Sequence, residues 1–249
     1  MTSEALTAST ITIGGHGGDE IEAYLAVPDD GAMARGSVVV IHHMPGYDTS
    51  TKEIVRKFAA NGYAALVPNL YHRDAPGASP DDAAATARAN GGVPDDRLVG
   101  DVAGAADYLG ALPGSNGKVG VIGYCSGGRQ SFLAACSLEL DAAVDCYGAF
   151  IINPVPEGLP LRAKPIVGMA ADLSCPLLGL FGAEDKMPTP EETAELSAVL
   201  GGVGKPHEFH TYDGAGHSFF SVDRVAYRPE AANDGWQKIW DFYGRYLAR

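Results

Sequence analysis

The fold of this chain is decided by the stretch Val119-Gly120-Val121-Ile122-Gly123-Tyr124-Cys125-Ser126-Gly127-Gly128. Five of its first six residues are β-branched or glycine, which indicates a buried strand. The strand runs directly into Gly-x-Cys-x-Gly, the pattern of a nucleophile elbow with cysteine in place of serine. Glycine is needed at positions 123 and 127 because side chains there would collide with the backbone beside the turn. The stretch therefore predicts a strained strand-to-helix turn that presents Cys125. The alternative is a glycine-rich turn around an ordinary buried cysteine.

An acid and a histidine follow the elbow, each just past a predicted strand. The strand predicted at 176–182 leads to Asp185, and the strand predicted at 208–212 leads to His217. The order nucleophile, acid, histidine is that of the α/β-hydrolases. Because the carboxyl ends of parallel strands lie along one edge of a sheet, the three side chains are expected to meet there. Taken singly, Asp185 reads as a helix-capping or loop carboxylate and His217 reads equally as a loop histidine or a catalytic one, and it is their order that favours a catalytic triad.

The remaining pattern predicts a single α/β domain over residues 1–249. A hairpin at 11–13 and 21–27 precedes alternating strands (37–42, 64–67, 118–122, 142–147) and helices (51–61, 81–90, 95–112, 126–136, 190–200, 233–247). This alternation predicts a mostly parallel central sheet with helices on both faces, the α/β-hydrolase fold. Residues 150–174 are proline-rich and irregular, and are predicted to form a cap or rim segment beside the site.

Composition and charge restrict the partners. The net charge of −13 argues against nucleic acid and anionic membrane surfaces. Residues 1–10 lack the pattern of a secretory signal, and no stretch approaches the ~20 apolar residues of a membrane span. We therefore expect a soluble, cytoplasmic monomer or small homo-oligomer. The four cysteines show no paired metal-ligand spacing and are expected to stay thiols. Adjacent His42 and His43 would point to opposite faces of a strand, so no metal is predicted, and no cofactor is implied.

From about Ile21 to Leu247 the chain resembles the dienelactone hydrolase family of the α/β-hydrolase superfamily. The resemblance is carried by Gly-Tyr-Cys-x-Gly-Gly at 123–128, Gly-x-x-Asp at 182–185, Gly-His-Ser-Phe at 216–219, and the segment 61–77. It implies Cys125 as nucleophile, His217 as base and Asp185 as the acid that orients the histidine. The backbone N–H of Ser126, as the residue after the nucleophile, is an expected oxyanion donor. The family likeness points to Met44 for the second donor.

Expectations for substrate contacts also come from the resemblance. Arg88 falls where the family carries one arginine that grips a substrate carboxylate, although a solvated helix arginine is an equal reading. The second family arginine falls at Ser221, and nearby Arg224 is a candidate substitute. His43 stands where dienelactone-cleaving members have a glutamate, so it is expected to pair with the thiol or to contact substrate. Tyr71, with His72 and Tyr147, is expected to line the pocket.

These features together predict a hydrolase of small esters or lactones that acts through a thioester on Cys125. Dienelactone or a related enol-lactone, a carboxylate-bearing substrate, is the first to test. Two alternatives stay open. One is a ligand-binding protein with a vestigial elbow, which the residue at His43 and the missing arginine favour. The other is acyl transfer or thiol-dependent isomerisation on the same scaffold.

Overall fold

The computed structural model describes residues 6–29 and 35–248. Residues 1–5, part of the segment in which no secretory signal is predicted, lie outside the described residues. The described strands form one sheet of eight: β1 Leu6–Gly14, β2 Glu20–Pro28, β3 Ser37–Ile41, β4 Ala64–Pro68, β5 Val119–Tyr124, β6 Ala142–Cys146, β7 Leu177–Gly182 and β8 His207–Tyr212. Their spatial order is β1-β2-β4-β3-β5-β6-β7-β8. Strands β3 to β8 are parallel, whereas β1 and β2 join the sheet as an antiparallel hairpin.

The helices cover both faces of the sheet. They are α1 Thr49–Ala60, α2 Pro80–Ala89, α3 Asp95–Gly110, α4 Ser126–Ser137, α5 Pro190–Gly202 and α6 Pro229–Tyr246. One apolar core lies between the sheet and α2 to α5, and a second lies between the sheet and the pair α1 and α6. Strand β5 divides its side chains accordingly, because Val121 packs in the first core and Ile122 in the second. The predicted α/β-hydrolase fold is confirmed.

Local capping explains where several helices begin. The Asp48 carboxylate accepts a hydrogen bond from the backbone N–H of Thr51 at 2.8 Å and so caps α1. Thr189 and Glu192 form a reciprocal capping box at the start of α5. Helix α6 begins at Pro229, before the predicted residue 233, because proline is favoured in the first helical turn.

The rim segment 150–174 contains no strand or α-helix, only a short 3₁₀ helix at Val167–Asp172. It is tied back to the rest of the molecule by backbone hydrogen bonds. The N–H of Ile166 donates to the carbonyl of Ile151, and the N–H of Arg162 donates to the carbonyl of Gly91 in the α2–α3 connection, both at 2.9 Å. Over the described ranges, no helix combines the length and the apolar character that crossing a membrane requires.

Candidate active site

The turn after β5 holds Cys125 in a backbone conformation that few L-residues adopt, with φ 59° and ψ −119°. Two glycines make the turn possible. A Cβ atom at Gly123 would lie 1.8 Å from the carbonyl oxygen of Gly127. A Cβ atom at Gly127 would lie 2.5 Å from the carbonyl oxygen of Ile41 in the neighbouring strand. Both distances are far inside van der Waals contact, so any side chain at these positions would force the elbow apart.

Asp185 and His217 come together at the carboxyl edge of the sheet. The Nδ1 atom of His217 lies 2.9 Å from Oδ2 of Asp185. Asp185 is buried, and its other oxygen accepts a hydrogen bond from the backbone N–H of Met187 at 2.9 Å. The carboxylate is therefore fixed on both sides. The His217 ring is about a third exposed, at 34%, and lines the same pocket as Cys125.

The histidine is held in its charged form. Burial alone would lower the pKa of His217, but hydrogen bonds with Asp185 and with the Cys125 side chain outweigh burial and raise it to about 10. An imidazolium ring is consequently the stable form of His217 at neutral pH.

Met44 and Ser126 line the pocket next to Cys125. Ser126 is the first residue of α4, where backbone N–H groups have no partner within the helix. Residues 42–48, which connect β3 to α1, form the Met44 loop. This loop is held by Tyr71, whose hydroxyl donates a hydrogen bond to the carbonyl of Met44 at 2.9 Å. The Tyr71 ring also packs so tightly against Gly46 that a Cβ atom there would lie 2.9 Å from it.

His42 anchors the same loop from inside. Burial lowers its pKa to about 4, so the ring is neutral. Its Nδ1 atom lies 2.9 Å from the carbonyl oxygen of His43, and its Nε2 atom accepts from the N–H of Leu70 at 3.3 Å. The first contact requires the proton on Nδ1, which leaves Nε2 as the acceptor. Together with the edge contact of the Tyr71 ring at 4.7 Å, these bonds fix the start of the loop.

The pocket in front of Cys125 has a volume of about 970 Å³, at the upper end of the range for small-molecule sites. Much of its wall is apolar, and the rim segment contributes Phe150 and Leu159. Its cations are Arg88, Arg129, Arg162, Lys164 and Lys186, and its acids are Asp95, Glu184 and Asp185.

Most of these cations are available to a ligand. Arg129 is used inside the protein, because its guanidinium is bonded to Asp95. Within the described part of the chain, no ion pair engages Arg88, Arg162, Lys164 or Lys186. Asp95 and Asp185 are themselves paired. The pocket is thus locally positive in a chain whose net charge is −13.

The structure separates the residues predicted to contact substrate. Arg88 and Tyr71 line the pocket, whereas His43 and Arg224 do not. His43 faces a second, smaller pocket and its Nε2 lies 2.8 Å from Oδ2 of Asp48. Burial alone would raise the pKa of Asp48, but hydrogen bonds from His43 and from Thr51 lower it to about 2.

The other predicted contacts also lie elsewhere. Arg224 has a half-exposed side chain whose Nε lies 3.9 Å from Asp223. The Nδ1 of His72 accepts a hydrogen bond from the backbone N–H of Glu22 at 3.5 Å, away from the pocket. Tyr147 lines the second pocket, with its ring against that of His217.

Sequence reasoning missed the basic side chains of the rim, Arg162 and Lys164, and also Lys186 beside the acid. The adjacent glycines Gly91 and Gly92 were a sequence signal for a turn with positive φ, which both residues adopt. A Cβ atom at Gly91 would lie 2.7 Å from Cγ of Arg162, so glycine is required for this arginine to cross the turn. Among the described residues, no group of three or more His, Cys, Asp or Glu is arranged to hold a metal ion.

The mostly parallel sheet and the strained elbow at its centre define an α/β-hydrolase. The chain belongs to the dienelactone hydrolase family, whose model matches residues 21–247. The resemblance noted in the sequence is thereby confirmed, and the chain is a hydrolase of this family.

Individual relatives agree over most of their length. A carboxymethylenebutenolidase of Pseudomonas putida is 31% identical over 238 residues, which cover 93% of this chain and 94% of that protein. A Yersinia pestis protein that carries carboxymethylenebutenolidase as a provisional name is 32% identical over 233 residues, covering 92% and 85%. The crystal structure of a provisionally named dienelactone hydrolase from Klebsiella pneumoniae subsp. pneumoniae superposes with a TM-score of 0.84. The two chains are 28% identical, and the match covers 98% of this chain and 100% of the Klebsiella chain.

Proposed function

We propose that this protein hydrolyses carboxylic esters or lactones through a Cys125–His217–Asp185 triad and a thioester intermediate. The observation that carries the proposal is that Asp185 is hydrogen-bonded to Nδ1 of His217, whose ring lines the same pocket as Cys125 at the strained elbow. This is the relation of nucleophile, base and orienting acid that acyl transfer requires.

Acylation begins from the thiolate–imidazolium pair. The Cys125 sulfur attacks the ester carbonyl carbon, and the carbonyl oxygen takes up the negative charge. The N–H groups of Ser126 and Met44 donate hydrogen bonds to that oxygen, and one such donor typically lowers the barrier by about 3 kcal/mol. When the intermediate collapses, the C–O bond breaks and the His217 imidazolium gives its proton to the leaving alkoxide.

Deacylation repeats the sequence with water. Neutral His217 removes a proton from a water molecule as its oxygen attacks the thioester carbonyl carbon. Collapse breaks the C–S bond, releases the carboxylic acid and returns the thiolate beside the imidazolium. In a lactone the alcohol and the acid belong to one molecule, so a single hydroxy acid leaves. Throughout, Asp185 keeps the His217 Nδ1–H in place and stabilises the positive ring.

The substrate class rests on family membership and on the pocket. The relative from Pseudomonas putida is named a carboxymethylenebutenolidase, which makes dienelactone the first substrate to test. Arg88 in the pocket supports a carboxylate-bearing substrate, and the volume of about 970 Å³ admits esters larger than a simple lactone. A cytoplasmic location is part of the proposal, and it is supported by four cysteines that are all unpaired.

The test compares turnover of a chromogenic ester and of dienelactone by the wild type, Cys125→Ala and Cys136→Ala. Cys136 is the matched control, because burial raises the pKa of its thiol to about 12 and makes it inert. We expect Cys125→Ala to lose turnover and Cys136→Ala to retain it. A thioester trapped on Cys125 by rapid acid quench, seen by mass spectrometry, would support the intermediate. Equal turnover by the wild type and Cys125→Ala would refute the proposal.

A further inference from the structure

A second pocket of about 220 Å³ lies on the other side of the elbow from the substrate pocket. It is enclosed by the start and outer face of α1, by the loop that follows His217, and by α6. The residues that line it are His43, Thr49, Ser50, Thr51, Glu53, Ile54, Lys57, Tyr124, Tyr147, Phe220, Ser221, Val222, Asp223 and Trp236. None of them lines the substrate pocket.

At two places, neighbouring residues line different pockets. Met44 lines the substrate pocket and its neighbour His43 lines the second pocket. Cys125 and Tyr124 are divided in the same way, as expected for successive residues at the end of a strand. The third contact is Tyr147, whose ring meets that of His217 edge-on at 5.1 Å.

The inner wall of the second pocket is aromatic. Tyr124 packs against Phe220 at a centroid distance of 5.7 Å and against Tyr147 at 6.3 Å, and Phe220 meets Trp236 at 5.7 Å. Such walls favour a planar ligand that can stack or meet them edge-on. The volume is below that of sites for drug-sized molecules, so it suits one ring rather than two.

The cation of this wall is Lys57. Its ammonium lies 3.8 Å from the Trp236 ring centroid, and no carboxylate among the described residues pairs with it.

The acidic side chains around the second pocket are already engaged. Glu53 is bonded to Arg56, and Asp223 lies beside Arg224. His43 is paired with Asp48, which also caps α1. Each of these carboxylates has a basic neighbour, whereas Lys57 pairs with no carboxylate among the described residues, so an anionic group is favoured beside Lys57.

We propose that the second pocket binds a monocyclic aromatic carboxylate at a site separate from the one where esters are cleaved. The ring lies against Tyr124, Tyr147 and Phe220. The carboxylate faces the Lys57 ammonium. Such a ligand contacts Tyr147, whose ring packs against that of His217, and His43, which precedes Met44 in the chain.

The experiment measures benzoate binding by calorimetry and by tryptophan emission, to which Trp236 and Trp240 both contribute. It uses the Cys125→Ala protein, so the result does not depend on whether the chain hydrolyses esters. Lys57→Met should raise the Kd about tenfold or more, because a hydrogen bond to a charged group is lost while the aliphatic stem stays on the indole. Lys52→Met is the matched control. Lys52 is on the same helix as Lys57 and lies over the rings of Tyr24 and Tyr47, but it does not line the second pocket. Its replacement should leave the Kd unchanged.

Further arms separate this site from the substrate pocket. Arg88→Met should leave the benzoate binding that depends on Lys57 unchanged. Benzamide and cyclohexanecarboxylate should both bind more weakly than benzoate, since one lacks the charge and the other the aromatic face. Loss of binding in Arg88→Met with full binding in Lys57→Met would place benzoate in the substrate pocket and overturn the proposal. Absence of benzoate binding to the folded Cys125→Ala protein would overturn it as well.

Discussion

Replacing Tyr71 by phenylalanine tests whether the Met44 loop is a positioned part of the catalytic apparatus. The change removes the 2.9 Å hydrogen bond from the Tyr71 hydroxyl to the Met44 carbonyl and leaves the ring, with its packing on Gly46, in place. The net worth of a neutral hydrogen bond is about 0.5–1.5 kcal/mol. If that free energy keeps the Met44 N–H in position to donate to the oxyanion, its loss should lower kcat/KM about two- to thirteenfold, at ~1.36 kcal/mol per tenfold.

The assay is kcat and KM for a neutral chromogenic ester, together with urea unfolding. Tyr243→Phe is the matched control. Its hydroxyl donates a hydrogen bond of 2.8 Å to the carbonyl of Val121, is fully buried, and lies away from both pockets. Both variants should lose about 0.5–1.5 kcal/mol of unfolding free energy, but only Tyr71→Phe should lose kcat. Equal kcat/KM for the two variants would show that the Tyr71 hydroxyl does not position Met44 for catalysis.

Three further predictions concern the elbow, the histidine and the pocket. Gly123→Ala should destabilise the fold by at least about 3 kcal/mol, because its Cβ would lie 1.8 Å from the carbonyl oxygen of Gly127. The protonated ring of His217, whose pKa rises from 6.5 to about 10, stabilises the fold below pH 6.5, and this contribution is lost as the pH rises through about 10. The stability advantage of the wild type over His217→Gln should therefore shrink across that range. Arg88→Gln should raise KM about tenfold for an anionic ester and much less for its neutral analogue.

Each of these predictions has a measurement that can contradict it. Thermal unfolding of Gly123→Ala is compared with that of Gly110→Ala, where the added methyl group has no neighbour within 4 Å and should be tolerated. For His217→Gln, urea unfolding is measured at pH values from about 6 to about 10. A difference in unfolding free energy from the wild type that stays constant with pH would show that protonated His217 does not stabilise the fold. Equal changes of KM for the charged and neutral esters would show that Arg88 does not read the anion.

The elbow and the order of the three candidate catalytic residues could be predicted because they depend on local chemistry and on chain order. Glycine at positions 123 and 127 is demanded by backbone distances within one turn. The parallel strands then carry Asp185 and His217 to one edge wherever the helices pack. Most element bounds were correct to within a few residues for the same reason, since periodicity and capping act over short distances, but β1 begins at Leu6 and not at the predicted residue 11.

The substrate contacts could not be predicted in this way. His43 was expected to pair with the thiol or to contact substrate, but its side chain turns to Asp48, the cap of α1, and so faces the second pocket. A sequence pattern does not tell which side of the elbow a residue at the strand end will face. Arg162 lies in the irregular segment 150–174, where no periodicity is available, and its place over Gly91 depends on a contact across the chain. Arg224 is close to His217 in sequence, yet its side chain lies beside Asp223 instead.

The cations that line the substrate pocket are opposite in sign to the net charge of the chain. A negatively charged molecule far from the surface is repelled by a chain with net charge −13, and it is attracted only when it comes close to the pocket. Dissolved ions weaken interactions beyond a Debye length of about 10 Å at 0.1 M salt more than those at closer range. Moderate ionic strength should therefore speed the capture of anions, the opposite of ordinary electrostatic steering, so that salt itself sets how readily charged and neutral esters compete for the pocket.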